Sequence, residues 1–71
     1  MPVYCFAIHR DGREVETLGA LPLSDDAQSL AFAKDVISDM TSSGGAYDAS
    51  WIMNITEGKR GVGRVPFAAA R

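Results

Sequence analysis

Cys5 and His9 are the one nucleophile-and-base combination in this 71-residue chain, which has a single cysteine and a single histidine. A cysteine attacks as its thiolate, and a histidine activates it only within hydrogen-bond reach. Both stand in an alternating stretch, VYCFAIHR from Val3 to Arg10, that reads as a β-strand. Four residues at about 3.3 Å each place them roughly 13 Å apart on one strand face, too far for a dyad within one chain. Cys5 is therefore expected to be a small, semi-buried thiol. His9 and Asp11 are nearer but straddle a turn, so His9 is expected to be a surface hydrogen-bonding residue rather than a general base. No serine stands in a G-x-S-x-G elbow, and Asp35 and Asp39 have no partner at metal-ligand spacing. The expectation is no catalytic residue, no metal, no cofactor and no enzymatic activity.

The stretch with most scope for binding is Gly58-Lys59-Arg60-Gly61-Val62-Gly63-Arg64. Its glycines permit close backbone approach and its cations can hold phosphate. It superficially resembles the G-x-x-G loop that clamps nucleic-acid backbone in KH domains, but that loop joins two helices and this one joins two strands. No G-K-[ST] opens a helix, so it is not a P-loop. The favoured reading is a hairpin turn that needs glycine and carries solvated charge. Arg10, Arg13, Lys59, Arg60 and Arg64 are the candidate phosphate or nucleic-acid contacts. Asn54-Ile55-Thr56 matches a glycosylation pattern but lies within a strand signal and is set aside.

The elements that position these residues are legible. Tyr4, Phe6 and Ile8 alternate with Val3, Cys5, Ala7 and His9, and the aromatic set should face the core. Asp11-Gly12 is a hairpin signal, and a second strand follows over residues 13–18. Gly19 to Pro22 reads as the connection into a helix, with Pro22 closing the strand and Leu21 or Leu23 tucked under the first helical turn. The helix is expected over residues 25–42, capped by Ser24, with Asp25 and Asp26 favouring the positive end of its dipole. Leu30, Ala33, Ile37 and Met40 form its apolar stripe, with Val36 at the edge, and Gly44-Gly45 ends it. Phe32 lies off the stripe, as a flanking core residue or as an exposed aromatic at a partner surface. Strands at about 50–57 and 62–69 complete the chain, with Trp51, Met53 and Ile55 facing the core and Ile52, Asn54 and Thr56 facing away. Pro66 marks an edge strand or a bulge. The order ββαββ predicts one α+β domain over residues 1–71. It is a two-layer sandwich with one helix on a four-stranded, mainly antiparallel sheet in the order 2-1-3-4.

Size and charge bound the function. A chain this short has a marginal core, and with one cysteine it has no internal disulfide to help. Oligomerisation is the remaining supplement, and one helix leaves half of the sheet to be protected. A homodimer is expected, with Phe32, Tyr47 and Trp51 as candidate interface residues. Net charge is −2, too small to argue for a partner. The middle is acidic and the flanks basic: from Glu14 to Glu57, Lys34 is the only basic residue. There is no secretory pattern, lipidation motif or apolar run of about 20 residues, so a cytoplasmic protein without membrane association is expected.

Several motifs together resemble a family of short alphaproteobacterial proteins known only as a domain of unknown function. They are Met1-Pro2, Tyr4, Phe6, Ile8, His9 and Gly12 at the start, then Gly19-Ala20-Leu21-Pro22, then Trp51, Glu57-Gly58 and Val65-Pro66-Phe67. The likeness spans nearly the whole chain. This chain departs from the family pattern at Leu23-Ser24, where an acidic cap is usual, and in its glycine-rich 58–63 turn. The resemblance implies a fold and brings no activity, substrate or catalytic residue.

Three functions compete on this reading. The first is a non-enzymatic, homo-oligomeric interaction module that binds protein. The alternative is a nucleic-acid-binding or HicB-antitoxin-like regulator using the basic hairpin turns, by analogy of fold alone. It depends on whether those turns share one side of the molecule. A small enzyme or ligand carrier, with a site built across a subunit boundary, ranks last.

Overall fold

A computed structural model describes residues 1–42 and 50–68. Four strands, β1 (Val3–Arg10), β2 (Arg13–Pro22), β3 (Ile52–Glu57) and β4 (Arg60–Pro66), surround one helix in sequence, α1 (Asp26–Ser42). The sheet order is β2-β1-β3-β4, and every neighbouring pair is antiparallel. The α+β class and the strand order are those expected from the sequence. Since β2 and β3 both oppose β1, they run parallel to each other with β1 between them, and α1 is the crossover that such a pair requires.

Alternation decides which side of the sheet the helix covers. Tyr4, Phe6 and Ile8 of β1, Met53 and Ile55 of β3, and Val65 of β4 are buried with Ala33 and Ile37 of α1. Phe67, just past β4, closes this core. Leu30, Val36 and Met40 flank it half-buried, as the helical stripe requires. Ser29 also lies on the buried side with no exposure, which the stripe of apolar residues missed. Its hydroxyl donates to the Asp26 carbonyl at 2.6 Å, so the polar group is satisfied within its own helix.

The helix begins one residue later than expected. Asp25, not Ser24, is the cap: its Oδ1 accepts from the Gln28 N–H at 2.9 Å, while Gln28 Oε1 accepts from the Ser24 N–H at 3.1 Å. Each side chain satisfies a backbone donor, a reciprocal arrangement close to a capping box. The expected end at Gly44-Gly45 lies outside the described residues, as does Tyr47.

Three strands also differ in their bounds, β3 in starting at Ile52 and not near residue 50. β2 continues through Gly19 to Pro22 instead of ending near Leu18, because Gly19, Ala20, Leu21 and Pro22 pair with Phe6, Cys5, Tyr4 and Val3. It does so by absorbing two extra residues, with register shifts that leave Leu18 and Val15 unmatched. Gly19, at φ 123°, supplies backbone freedom beside the first bulge. β4 starts at Arg60 and stops at Pro66, so the second hairpin turn is only Gly58-Lys59. Asp11 and Gly12, at φ 53° and 77°, have the paired positive angles of a type I′ hairpin turn, as their sequence predicts.

Candidate functional site

Cys5 and His9 lie on the sheet face away from the helix. Cys5 is exposed, opposite Thr56 and Ala20; His9 is half-buried, opposite Ile52 and Glu14. They remain four positions apart on β1 with no bulge between them on that strand, so they form no dyad. Among the described residues, no three His, Cys, Asp or Glu side chains come together as metal ligands. No helix among them is long and apolar enough to cross a membrane.

The five candidate cations are not brought together. β3 opposes β1 with Cys5 across from Thr56, so the Gly58-Lys59 turn lies at the Tyr4 end of β1. Asp11-Gly12 lies at the Arg10 end, six residues on, roughly 20 Å away at about 3.3 Å per residue. Arg10 and Arg13 therefore occupy one end of the sheet and Lys59 and Arg60 the other. Arg64 lies between, opposite Asn54. A single basic surface running through both hairpin turns is not formed.

Arg60 is committed inside the molecule. Its Nη1 and Nη2 donate to the two carboxylate oxygens of Asp26 at 2.9 and 2.8 Å, and its Nε donates to Glu57 Oε1 at 3.0 Å. The buried Tyr4 hydroxyl donates to the same Asp26 carboxylate at 2.8 Å. The first helical turn is thus clamped to the start of β1 and to the second hairpin. Hydrogen bonds from Arg60 first, then from Tyr4, lower the Asp26 carboxyl to about 2. Burial first, then the bond to Asp26, pushes the Tyr4 phenol up to about 12. Bonds to Asp26 and Glu57 hold the Arg60 guanidinium above its ordinary range. Side-chain exposures of 51% for Arg60 and 46% for Asp26 leave this pair well screened by solvent.

Two of the candidate interface aromatics, Phe32 and Trp51, are half-buried and pack against the core. Phe32 is half-buried, its ring centroid 5.0 Å from that of Phe6 with the planes at 56°. Trp51 meets Phe67 edge to face at 5.6 Å, and its buried indole N–H has no hydrogen-bond partner among the described residues.

Among the described residues, no element covers the sheet face opposite α1. The strand pairing lays its residues out in rows: Pro22 beside Val3; Ala20, Cys5, Thr56 and Gly61; Thr17, Ala7, Asn54 and Arg64; Glu14, His9, Ile52 and Pro66. Small and apolar groups run across it from Val3 and Cys5 through Ala7 to Ile52. The corner formed by Asn54, Thr56, Gly61 and Arg64 is polar and hollow, with an open cavity of about 400 Å³. Asn54 and Thr56 were legible as outward-facing residues, but their meeting with Arg64 and Gly61 depends on the β3–β4 register.

Comparison of the chain with known protein families, curated proteins and solved structures finds no match.

Proposed function

We propose that this protein is a non-enzymatic module that pairs with a second copy of itself through the open face of its sheet. The observation that carries the reading is the contrast between that face and the sheet edges. β2, at one edge, is broken by two bulges and carries Glu14 and Glu16; β4, at the other, has a register shift and Pro66. Both are devices that discourage strand addition. The face between them presents Val3 at 48% exposure, exposed Cys5, half-buried Ala7 and Ile52, and no helix. Four strands at about 4.8 Å spacing and seven residues of about 3.3 Å give it roughly 440 Å². Two such faces bury roughly 900 Å², the low end of the scale, where association is weak or transient. Cytoplasmic residence belongs to the same proposal, because an exposed free thiol such as Cys5 persists in reducing compartments.

Sedimentation equilibrium of the full chain from about 1 μM to about 1 mM tests the reading. A monomer–dimer equilibrium is expected, and Cys5→Glu, which places a charge on the face without touching the core, abolishes it. A strict monomer across that range, or a dimer indifferent to Cys5→Glu, defeats the proposal. The nucleic-acid alternative has less support, since its cations are divided between two ends and Arg60 is already paired.

A further inference from the structure

We propose that the hollow over β3 and β4 is a binding site for a small organic oxyanion, a carboxylate or a phosphate, held by Arg64, Asn54 and Thr56. This goes beyond self-association: the hollow occupies the β3–β4 corner of the same open face, so a ligand held there and a second copy seated over that corner exclude one another.

The cavity of about 400 Å³ is lined by Asn54, Ile55, Thr56 and the run Gly61 to Arg64. Its size falls within the range of small-molecule sites. Two lining residues fix the side on which it opens. The Ile55 side chain is 1% exposed in the core, and a Cβ on Gly63 would point at Leu30 of the helix, 3.1 Å from its Cδ2. Both reach the cavity through backbone alone, so its floor is the outer surface of the two strands. Its depth comes from Gly61, which stands opposite Thr56 where any other residue would project a side chain; a Cβ built there meets nothing within 4 Å.

The walls are donors. Arg64 and Asn54 are directly paired across the strands and Thr56 lies two residues from Asn54 on the same face. None of these three side chains has a hydrogen bond or ion pair among the described residues, whereas Arg60 at the same hairpin is fully engaged. A guanidinium fork, an amide and a hydroxyl converging on one hollow match the acceptors of a carboxylate or phosphate group. Among the described residues no carboxylate pairs with Arg64. Glu57 and Asp26 are held by Arg60, and the outward-facing Glu14 lies on β2, three strands away at the far edge.

The test is a two-dimensional amide NMR titration of the full chain with inorganic phosphate, with adenosine monophosphate and with benzoate. Saturable shifts centred on Asn54, Thr56 and Gly61 to Arg64 are expected with at least one probe. Saturation by phosphate or adenosine monophosphate assigns a phosphate ligand, and saturation by benzoate alone assigns a carboxylate. Arg64→Gln should weaken the binding at least about tenfold, the effect of losing a charge-assisted hydrogen bond. Gly61→Val should abolish it by filling the hollow, and the space around its Cβ lets the variant keep the wild-type spectrum elsewhere. No saturable shift with any probe, or binding that survives both substitutions, overturns the proposal.

Discussion

Phe32 is the residue at which a partner surface and a core flank make opposite predictions. Its ring lies 5.0 Å from Phe6, which is 2% exposed, at the tilted geometry that favours aromatic pairs. Truncation to alanine removes the half-buried ring area, about 1–2 kcal/mol, and the ring pair, about 1 kcal/mol. Phe32→Ala is therefore expected to cost about 2–3 kcal/mol, a large share of the stability of a domain this small. In urea, at an m-value of about 1 kcal/mol/M, the midpoint falls by roughly 2–3 M. Phe32→Leu keeps much of the apolar area and loses mainly the ring pair. Combining Phe32→Leu with Phe6→Leu in a double-mutant cycle should expose a coupling of about 0.5–1.5 kcal/mol. The measurement is equilibrium unfolding of the four proteins of the cycle and of Phe32→Ala at one fixed concentration, with sedimentation run in parallel. Additive single effects, together with a Phe32→Ala protein that keeps its stability but no longer self-associates, would refute the assignment of Phe32 to the core.

Two further outcomes follow from the helix N-terminus. Asp25→Ala should cost about 1 kcal/mol by removing the cap, read as a lower thermal midpoint, whereas Ser24→Ala, which leaves the Asp25 cap in place, should change it little. The Asp26 carboxyl sits at about 2 against an ordinary 3.8, so its stabilisation is whole above pH 3.8 and is lost as pH falls toward 2. The Tyr4 phenol, raised to about 12 from 10.0, stabilises below pH 10 and ceases to as pH rises through 12. Thermal midpoints measured across both windows should fall at each end, and Asp26→Ala should flatten the acid limb; an unchanged limb in that variant removes Asp26 from the account.

The fold was legible because its signals are local and mutually consistent. Asp11-Gly12 specifies a turn, Tyr4-Phe6-Ile8 specifies a face, and the spacing of Ala33 and Ile37 specifies a helical stripe. Misplaced boundaries arose where pairing overrode local preference. Gly19 and Pro22 look like loop residues, but the free edge of β1 gives them partners. Ser24 is a good cap in isolation, but Asp25 stands at the position from which its carboxylate meets the Gln28 N–H. The site was less legible, since it depends on contacts distant in sequence. Arg60 appears as a free cation until the helix sets Asp26 beside it, 34 residues away. Asn54 and Arg64 acquire a joint meaning only when β3 and β4 come into register.

The central place of β1 also dictates how the domain comes together. β1–β2 and β3–β4 are hairpins with two-residue turns, and each can close on the microsecond scale without the other. The only strand pairing between them is β1 with β3, where Cys5 meets Thr56 across the intervening helix. That contact must wait for a long loop to close, an entropic cost that changes by only about 0.6 kcal/mol per doubling of loop length. The seam between two preformed halves is therefore the cooperative step of folding.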